Sequence, residues 1–123
     1  MRALIVDDSA TGKSGLKQVL SEEGFQVFES GDSLEALGLL EERGSVDLAL
    51  VNWDLPEADG LRFALSLRST RRFEGTRIIM MTRLPSTAEI LEAIRLGVDE
   101  CIVKPCTRKK LMQKLTELRM VQD

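Results

Sequence analysis

Short apolar runs alternate with amphipathic stretches along the chain. Ala3–Val6 (ALIV) is apolar throughout, β-branched at its end and stopped by Asp7-Asp8, the pattern of a strand covered on both faces. Leu16, Val19 and Leu20 are spaced for one face of a helix, and Gly24 suits its stop. Phe25–Ser30 (FQVFES) alternates, as a half-buried or edge strand does. Asp32 or Ser33 caps a second helix, which is expected to turn Leu34, Leu37 and Leu40 inward and to end at Gly44. Val46–Val51 reads as a third strand, followed by a loop and a helix from about Gly60 to Arg71. Arg77–Thr82 (RIIMMT) is the fourth strand. Ser86 or Thr87 caps a helix carrying Ile90, Leu91 and Ile94, which stops at Gly97. Glu100–Lys104 is the fifth strand, and Thr107 caps a last helix with Leu111, Leu115 and Leu118. Five β-then-α units with short connections predict an α/β fold, a parallel sheet with helices on both faces.

Composition narrows the class. The 123 residues suit one domain spanning 1–123, with 43% apolar and 30% charged residues. A net charge of −3 gives no reason to expect a nucleic-acid surface. No run reaches the roughly 18 apolar residues of a membrane span, and no signal peptide opens the chain. Cys101 and Cys106 are expected to be free thiols, as in a reducing, cytoplasmic compartment. The absence of histidine removes His-based general bases and His metal sites.

In open α/β sheets, ligands bind beyond the carboxyl ends of the strands. Those ends carry Asp7 and Asp8 (strand one), Asn52 and Asp54 (strand three), Thr82 (strand four) and Lys104-Pro105 (strand five). Taken singly, each residue reads as a cap or turn. Together they place acidic groups, a hydroxyl and one lysine at one rim. Carboxylate and carbonyl oxygens suit a hard cation such as Mg²⁺, and Lys104 and Thr82 suit an anion such as a phosphoryl group beside it. The Gly12-Lys13-Ser14 tripeptide ends like a P-loop, but the glycine needed five positions before Gly12 is Asp7, a carboxylate that would repel the phosphates.

The segments LIVDDS, WDLPEADG, MMT and VKP, in this order and spacing, resemble the receiver domain of two-component response regulators, and GVDECIVKP extends the likeness over essentially the whole chain. The resemblance implies a flavodoxin-like (βα)5 three-layer sandwich with strand order 2-1-3-4-5. It implies a pocket of Asp7, Asp8, Asn52 and Asp54 that binds Mg²⁺, Asp54 through its backbone carbonyl, and a phosphoryl pocket formed by Thr82 and Lys104, the Lys104–Pro105 bond being cis. The family takes its phosphoryl group from a histidine kinase onto an aspartate at the end of strand three. The matching position is Asn52. A carboxylate attacks phosphorus to form an acyl phosphate, whereas an amide oxygen carries no full charge. The expectation is therefore a receiver that signals by protein contacts, binds Mg²⁺ weakly and is no enzyme. Asn52 belongs either to a natural atypical receiver or to an engineered Asp→Asn form of an ordinary one. Asn52 is expected to donate to Asp7 or Asp8, and Lys104 to pair with one of them. Cys101 stands where the family usually carries Tyr or Phe.

The resemblance also points to a sensor histidine kinase or other signalling protein as partner, and to a homodimer through the helix 4–strand 5–helix 5 face. Arg95, Asp99, Glu100, Arg108, Lys109, Lys110 and Lys114 are its exposed candidates. No direct contact with nucleic acid or membrane is expected. The competing class is a nucleotide- or cofactor-binding domain on the same flavodoxin-like fold.

Overall fold

The structure, a computed structural model, describes residues 1–55, 60–83 and 85–121. Pro56–Asp59, inside the WDLPEADG segment, lie outside the described residues. Strands β1 (Arg2–Val6), β2 (Gln26–Ser30), β3 (Leu48–Asn52), β4 (Arg77–Thr82) and β5 (Glu100–Val103) form one parallel sheet in the order β2-β1-β3-β4-β5. Helices α1 (Ala10–Glu22), α2 (Ser33–Arg43), α3 (Gly60–Ser69), α4 (Thr87–Leu96) and α5 (Arg108–Glu117) follow the strands in turn. No helix among the described residues is long and apolar enough to cross a membrane.

Strand periodicity divides the core. Ala3 and Ile5, Leu48 and Leu50, Ile79 and Met81 face α1 and α5, whose Leu16, Val19, Leu20, Leu111 and Leu115 cover them. The alternate residues Leu4 and Val6, Ala49 and Val51, Ile78 and Met80 face α2, α3 and α4. Successive side chains point to opposite faces, so a strand covered on both sides must be apolar at every position. That is why β1, β3 and β4 read as unbroken apolar runs. β2 lies at the edge, is only partly buried and keeps polar residues. Arg2 and Arg43 place their guanidinium groups over its Phe28 ring, 5.0 and 5.6 Å from the centroid.

The capping chemistry follows the sequence. Asp32 accepts from the Glu35 amide, Thr107 accepts from the Lys110 amide, and Ser86 forms a reciprocal capping box with Glu89. Gly97 ends α4 with φ at +124°, a conformation that side chains disfavour. Helix α3 stops at Ser69, two residues before the expected end, and Arg71–Phe73 forms a separate 3₁₀ turn. The hydroxyls of Ser69 and Thr70 both donate to the Ser66 carbonyl, an alternative to helix propagation.

The expected face of α2 is corrected. Leu40 is buried, but Leu34 is 77% exposed and Leu37 stands at the surface; the second buried position is Ala36. Ala36 and Leu40 are four residues apart and so share a face, and the small alanine side chain makes the contact that the leucines were expected to make. Cys101 packs toward the α2–α4 side of the sheet and Cys106 toward the α1–α5 side. Both are free thiols, and burial is the main cause that pushes each up to about 11.

Asp99 is a structural group, not an exposed one. Its carboxylate accepts from Arg68 Nη2 at 2.8 Å, from Arg77 Nη1 at 3.4 Å and from the Ile78 amide at 2.7 Å. Arg68 also donates to the carbonyls of Gly97 and Glu74. This one carboxylate ties the end of α3, the start of β4 and the turn between α4 and β5. Replacing Asp99 with alanine leaves the Ile78 amide without its acceptor and the half-buried Arg68 guanidinium without its counter-charge. The expected loss is about 2 kcal/mol in urea unfolding, against less than about 0.5 kcal/mol for Arg95→Ala on the surface.

Candidate functional site

Double burial of the central strands confines polar side chains to their ends, and those at the carboxyl ends meet in a cleft of ≈ 400 Å³ lined by Asp7, Asp8, Ser9, Asn52, Asp54, Arg83 and Lys104. Asp7 is 4% exposed and Asn52 3%, whereas Asp8 lies open to solvent. β1 and β3 are hydrogen-bonded neighbours, with Val6 opposite Val51. The next residues of each, Asp7 and Asn52, therefore project side by side. Asp7 is held in place by its own turn, since its Oδ1 accepts from the Ser9 amide at 3.0 Å. Ser9 in turn caps α1, its hydroxyl accepting from the Gly12 amide at 3.2 Å. That cap takes up an amide that a P-loop would aim at phosphate.

Asn52 is the centre of the cleft. Its Nδ2 donates to Asp8 Oδ1 at 3.2 Å and to the Asp54 carbonyl at 3.3 Å, with a marginal third contact to Asp7 Oδ1 at 3.5 Å. Its Oδ1 accepts from the Asp54 amide at 3.1 Å and from Lys104 Nζ at 2.9 Å. The expected donation from Asn52 to the aspartates is present. The expected pairing of Lys104 with Asp7 or Asp8 is not: Lys104 goes to the amide oxygen, and the ion pairs of the described residues all lie elsewhere. The physical reason is placement. Asn52 stands between the aspartates and the lysine and presents an acceptor on the lysine's side.

Lys104 comes from the end of β5, where its peptide bond to Pro105 is cis as the resemblance implies. Its amide donates to the Thr82 carbonyl at 2.7 Å. Thr82 is 6% exposed at the end of β4 and does not belong to the cleft wall among the described residues. Beside the cleft runs a groove of ≈ 720 Å³ walled by Gly12, Gly15, Leu16, Met81, Pro105 and Cys106.

The donor chemistry of the cleft suits a hard cation, but its arrangement does not. The carboxylates of Asp7 and Asp8 and the Asp54 carbonyl are hard oxygens of the right kind. They converge, however, on the amide nitrogen of Asn52. No set of three or more His, Cys, Asp or Glu side chains among the described residues is arranged to hold a metal.

Three contributors were not singled out in the sequence: Ser9, Arg83 and Gly60. Gly60 carries the largest constraint. A Cβ there would lie 2.0 Å from the Asn52 carbonyl oxygen and 3.0 Å from the Trp53 Cα, so α3 starts against the backbone that presents Asn52. Its amide closes the loop by donating to the Trp53 carbonyl at 3.0 Å. The signal was in plain view as the glycine closing the WDLPEADG segment.

Several charges expected to stand free on the helix 4–strand 5–helix 5 face have partners within the domain. Arg108 turns to Glu22 of α1, Lys110 Nζ donates to the Val103 carbonyl, and Lys114 pairs with Glu100 at 2.9 Å. The hydrogen bond that Lys114 donates to Glu100 is the main cause that raises the pKa of Lys114. What α4 presents instead is apolar: Leu91 is 62% and Ile94 43% exposed, and Ala93 is its buried residue.

The model of the response regulator receiver domain matches residues 3–116. The chain is 36% identical over 116 residues to the chemotaxis protein CheY1 of Helicobacter pylori, covering 94% of each. It is 34% identical over 119 residues to the chemotaxis protein CheY homolog of Campylobacter jejuni, covering 96% of this chain and 92% of that one. Among solved structures, the CheY-like receiver domain protein of Methanospirillum hungatei superposes with a TM-score of 0.84 at 30% identity, covering 95% of this chain and 91% of that one.

Replacing Gly60 with alanine drives a methyl group into a backbone carbonyl that has no side-chain freedom to yield. The expected cost is about 2 kcal/mol or more, measured by urea unfolding, together with a shift in Trp53 emission. An unchanged midpoint and spectrum would show that α3 does not bear on the Asn52 backbone.

Proposed function

This chain belongs to the response regulator receiver family, and we propose that residues 1–123 form a single receiver domain that signals by protein contacts and takes up no phosphoryl group. The observation that carries this reading is the position of Asn52. It lies at the end of β3, 3.2 Å from Asp8 and 2.9 Å from Lys104, where the family places its phosphoacceptor aspartate. In this reading Asp7, Asp8, Asn52 and the Asp54 carbonyl form the cation pocket, and Thr82 and Lys104 form the phosphoryl pocket. Mg²⁺ binds weakly, because the pocket lacks one carboxylate and the Asn52 amide must turn before a metal can enter. When bound, the cation would offset charge on the oxygens of a phosphoryl donor. The chain's own residues supply orientation, through Lys104, but no nucleophile. The domain is a cytoplasmic signalling module, not an enzyme. Its partner is a sensor histidine kinase or another signalling protein, and it contacts neither nucleic acid nor membrane directly.

The partner surface is the α4–β5–α5 face, which also serves a second copy of the chain. Support comes from the exposed Leu91 and Ile94 of α4, with Arg95 exposed on the same helix. Such apolar side chains are left largely in solvent by the domain itself, and apolar contact at the centre with charge at the rim is the usual anatomy of an interface.

Acetyl phosphate tests the missing nucleophile. In the Asn52→Asp variant the new carboxylate attacks phosphorus, the bond to the acetyl oxygen breaks, acetate leaves and an acyl phosphate forms. Intact-mass spectrometry with Mg²⁺ present is expected to show one labile phosphoryl group on Asn52→Asp and none on the parent. An adduct on the parent would reveal another acceptor and overturn the reading.

The face is tested separately. Leu91→Glu with Ile94→Glu is expected to weaken self-association or partner binding at least about tenfold, equally with and without acetyl phosphate. Folding should be spared, because both side chains are exposed. Unchanged sedimentation and partner binding would move the interface elsewhere.

A further inference from the structure

We propose that the Asn52 carboxamide is a built-in occupant of the cation position, its –NH₂ group standing where a divalent ion would sit among Asp7, Asp8 and the Asp54 carbonyl. The inference rests on the reading of this cleft as a receiver's cation and phosphoryl pocket.

The orientation of the amide is fixed by its surroundings. Among the described residues, Nδ2 faces three acceptors: Asp8 Oδ1, Asp7 Oδ1 and the Asp54 carbonyl. Oδ1 faces two donors: the Asp54 amide and the Lys104 ammonium. A half-turn of the carboxamide would set oxygen against two carboxylates and a carbonyl, and N–H groups against an ammonium and an amide. Every contact would change from attraction to repulsion. At 3% exposure Asn52 has little water to replace them.

The electropositive edge of the amide thus does part of a cation's work. It lies between two carboxylates that would otherwise repel across the cleft, and it holds the Asp54 backbone turned inward. The Asp54 residue is clasped at both of its backbone groups by one side chain, donating to Oδ1 and accepting from Nδ2. Mg²⁺ requires oxygens at about 2.0–2.1 Å in near-octahedral order. To reach Asp8 and the Asp54 carbonyl together it must first expel the –NH₂ group, which breaks the clasp and the bond to Lys104. Metal entry is therefore a competition with an intramolecular network. The consequence for regulation is a receiver whose pocket is already held together without a divalent cation, so its signalling surface does not follow the metal.

The proposal makes a prediction of opposite sign to the ordinary view. If the Asn52 oxygen were a ligand, removing the side chain would weaken the metal. If the amide is an occupant, Asn52→Ala vacates the position and Mg²⁺ binds more tightly than in the parent, by about threefold or more. Affinities are read by calorimetry and by Trp53 fluorescence on the parent, Asn52→Ala and Asn52→Asp chains. The order expected is Asn52→Asp tightest, Asn52→Ala next, parent weakest. Weaker binding by Asn52→Ala than by the parent overturns the proposal. Equal affinity in all three chains overturns the cation-pocket reading itself, and the proposal with it. The parent's own side-chain amide resonances provide an arm that needs no variant. The Asn52 –NH₂ cross-peaks are expected to be protected from exchange and to hold their shifts after Mg²⁺ is in excess over the protein. Rapid exchange in the metal-free protein, or shifts that saturate with the first added Mg²⁺, would show an open position and overturn the inference.

Discussion

The fold turns on one constraint: β1, β3 and β4 are covered on both faces. A strand so placed offers no position for an unpaired polar side chain, because each would be buried in one apolar layer or the other. Leu4 through Val6, Leu48 through Val51 and Ile78 through Met81 meet that condition without exception. Polar residues resume only where the strands end, and a parallel sheet brings all of those ends to the same edge. The cleft is thus a by-product of the core. Its residues are distant in sequence, yet the strand register alone sets Asp7 beside Asn52 and Val103, the residue before Lys104, opposite Thr82.

Within the cleft, charge decides the local geometry. Two carboxylates sharing a narrow space would ordinarily repel each other and draw a nearby cation such as Lys104 between them. Here a neutral group of the right shape intervenes. Asn52 turns its donors to the acids and its acceptor to the lysine, so that opposite charges are bridged through an amide and do not touch. Such a bridge satisfies both sides without desolvating a direct ion pair, which carries its own penalty in a buried setting. The cleft is accordingly quiet: no buried side-chain nitrogen or oxygen among the described residues lacks a hydrogen-bond partner.

The fold was legible because its determinants are local. Unbroken apolar runs, caps at Asp32, Ser86 and Thr107 and glycines at helix ends are all visible within a few residues. Strand order and the cis Lys104–Pro105 bond came from the family resemblance, and the structure has both. What stayed hidden depends on partners far along the chain. Arg108 and Glu22 are 86 residues apart, and nothing in either segment announces that they meet. Asp99 looked like a surface charge because Arg68, 31 residues away, is its partner. The inward face of α2 was misjudged because leucine outweighs alanine in any hydrophobic pattern, whereas close packing of a helix on a sheet favours the smaller side chain at the point of nearest approach.

The candidate site shows the same division. Its membership, Asp7, Asp8, Asn52, Asp54 and Lys104, followed from reading the residues at the strand ends. Its wiring did not, because wiring depends on which way a carboxamide faces, and the two ends of an amide are alike in size. Only the set of surrounding donors and acceptors distinguishes them, and that set is assembled from β1, β3, the loop after β3 and β5. An aspartate at position 52 would offer acceptors on both sides. It would hold Lys104 as firmly but would face Asp7 and Asp8 with like charge, a conflict that a cation resolves. The asparagine resolves it from within the chain. On the proposed function, the one group that separates asparagine from aspartate decides both whether position 52 can act as a nucleophile and how far the pocket needs a metal.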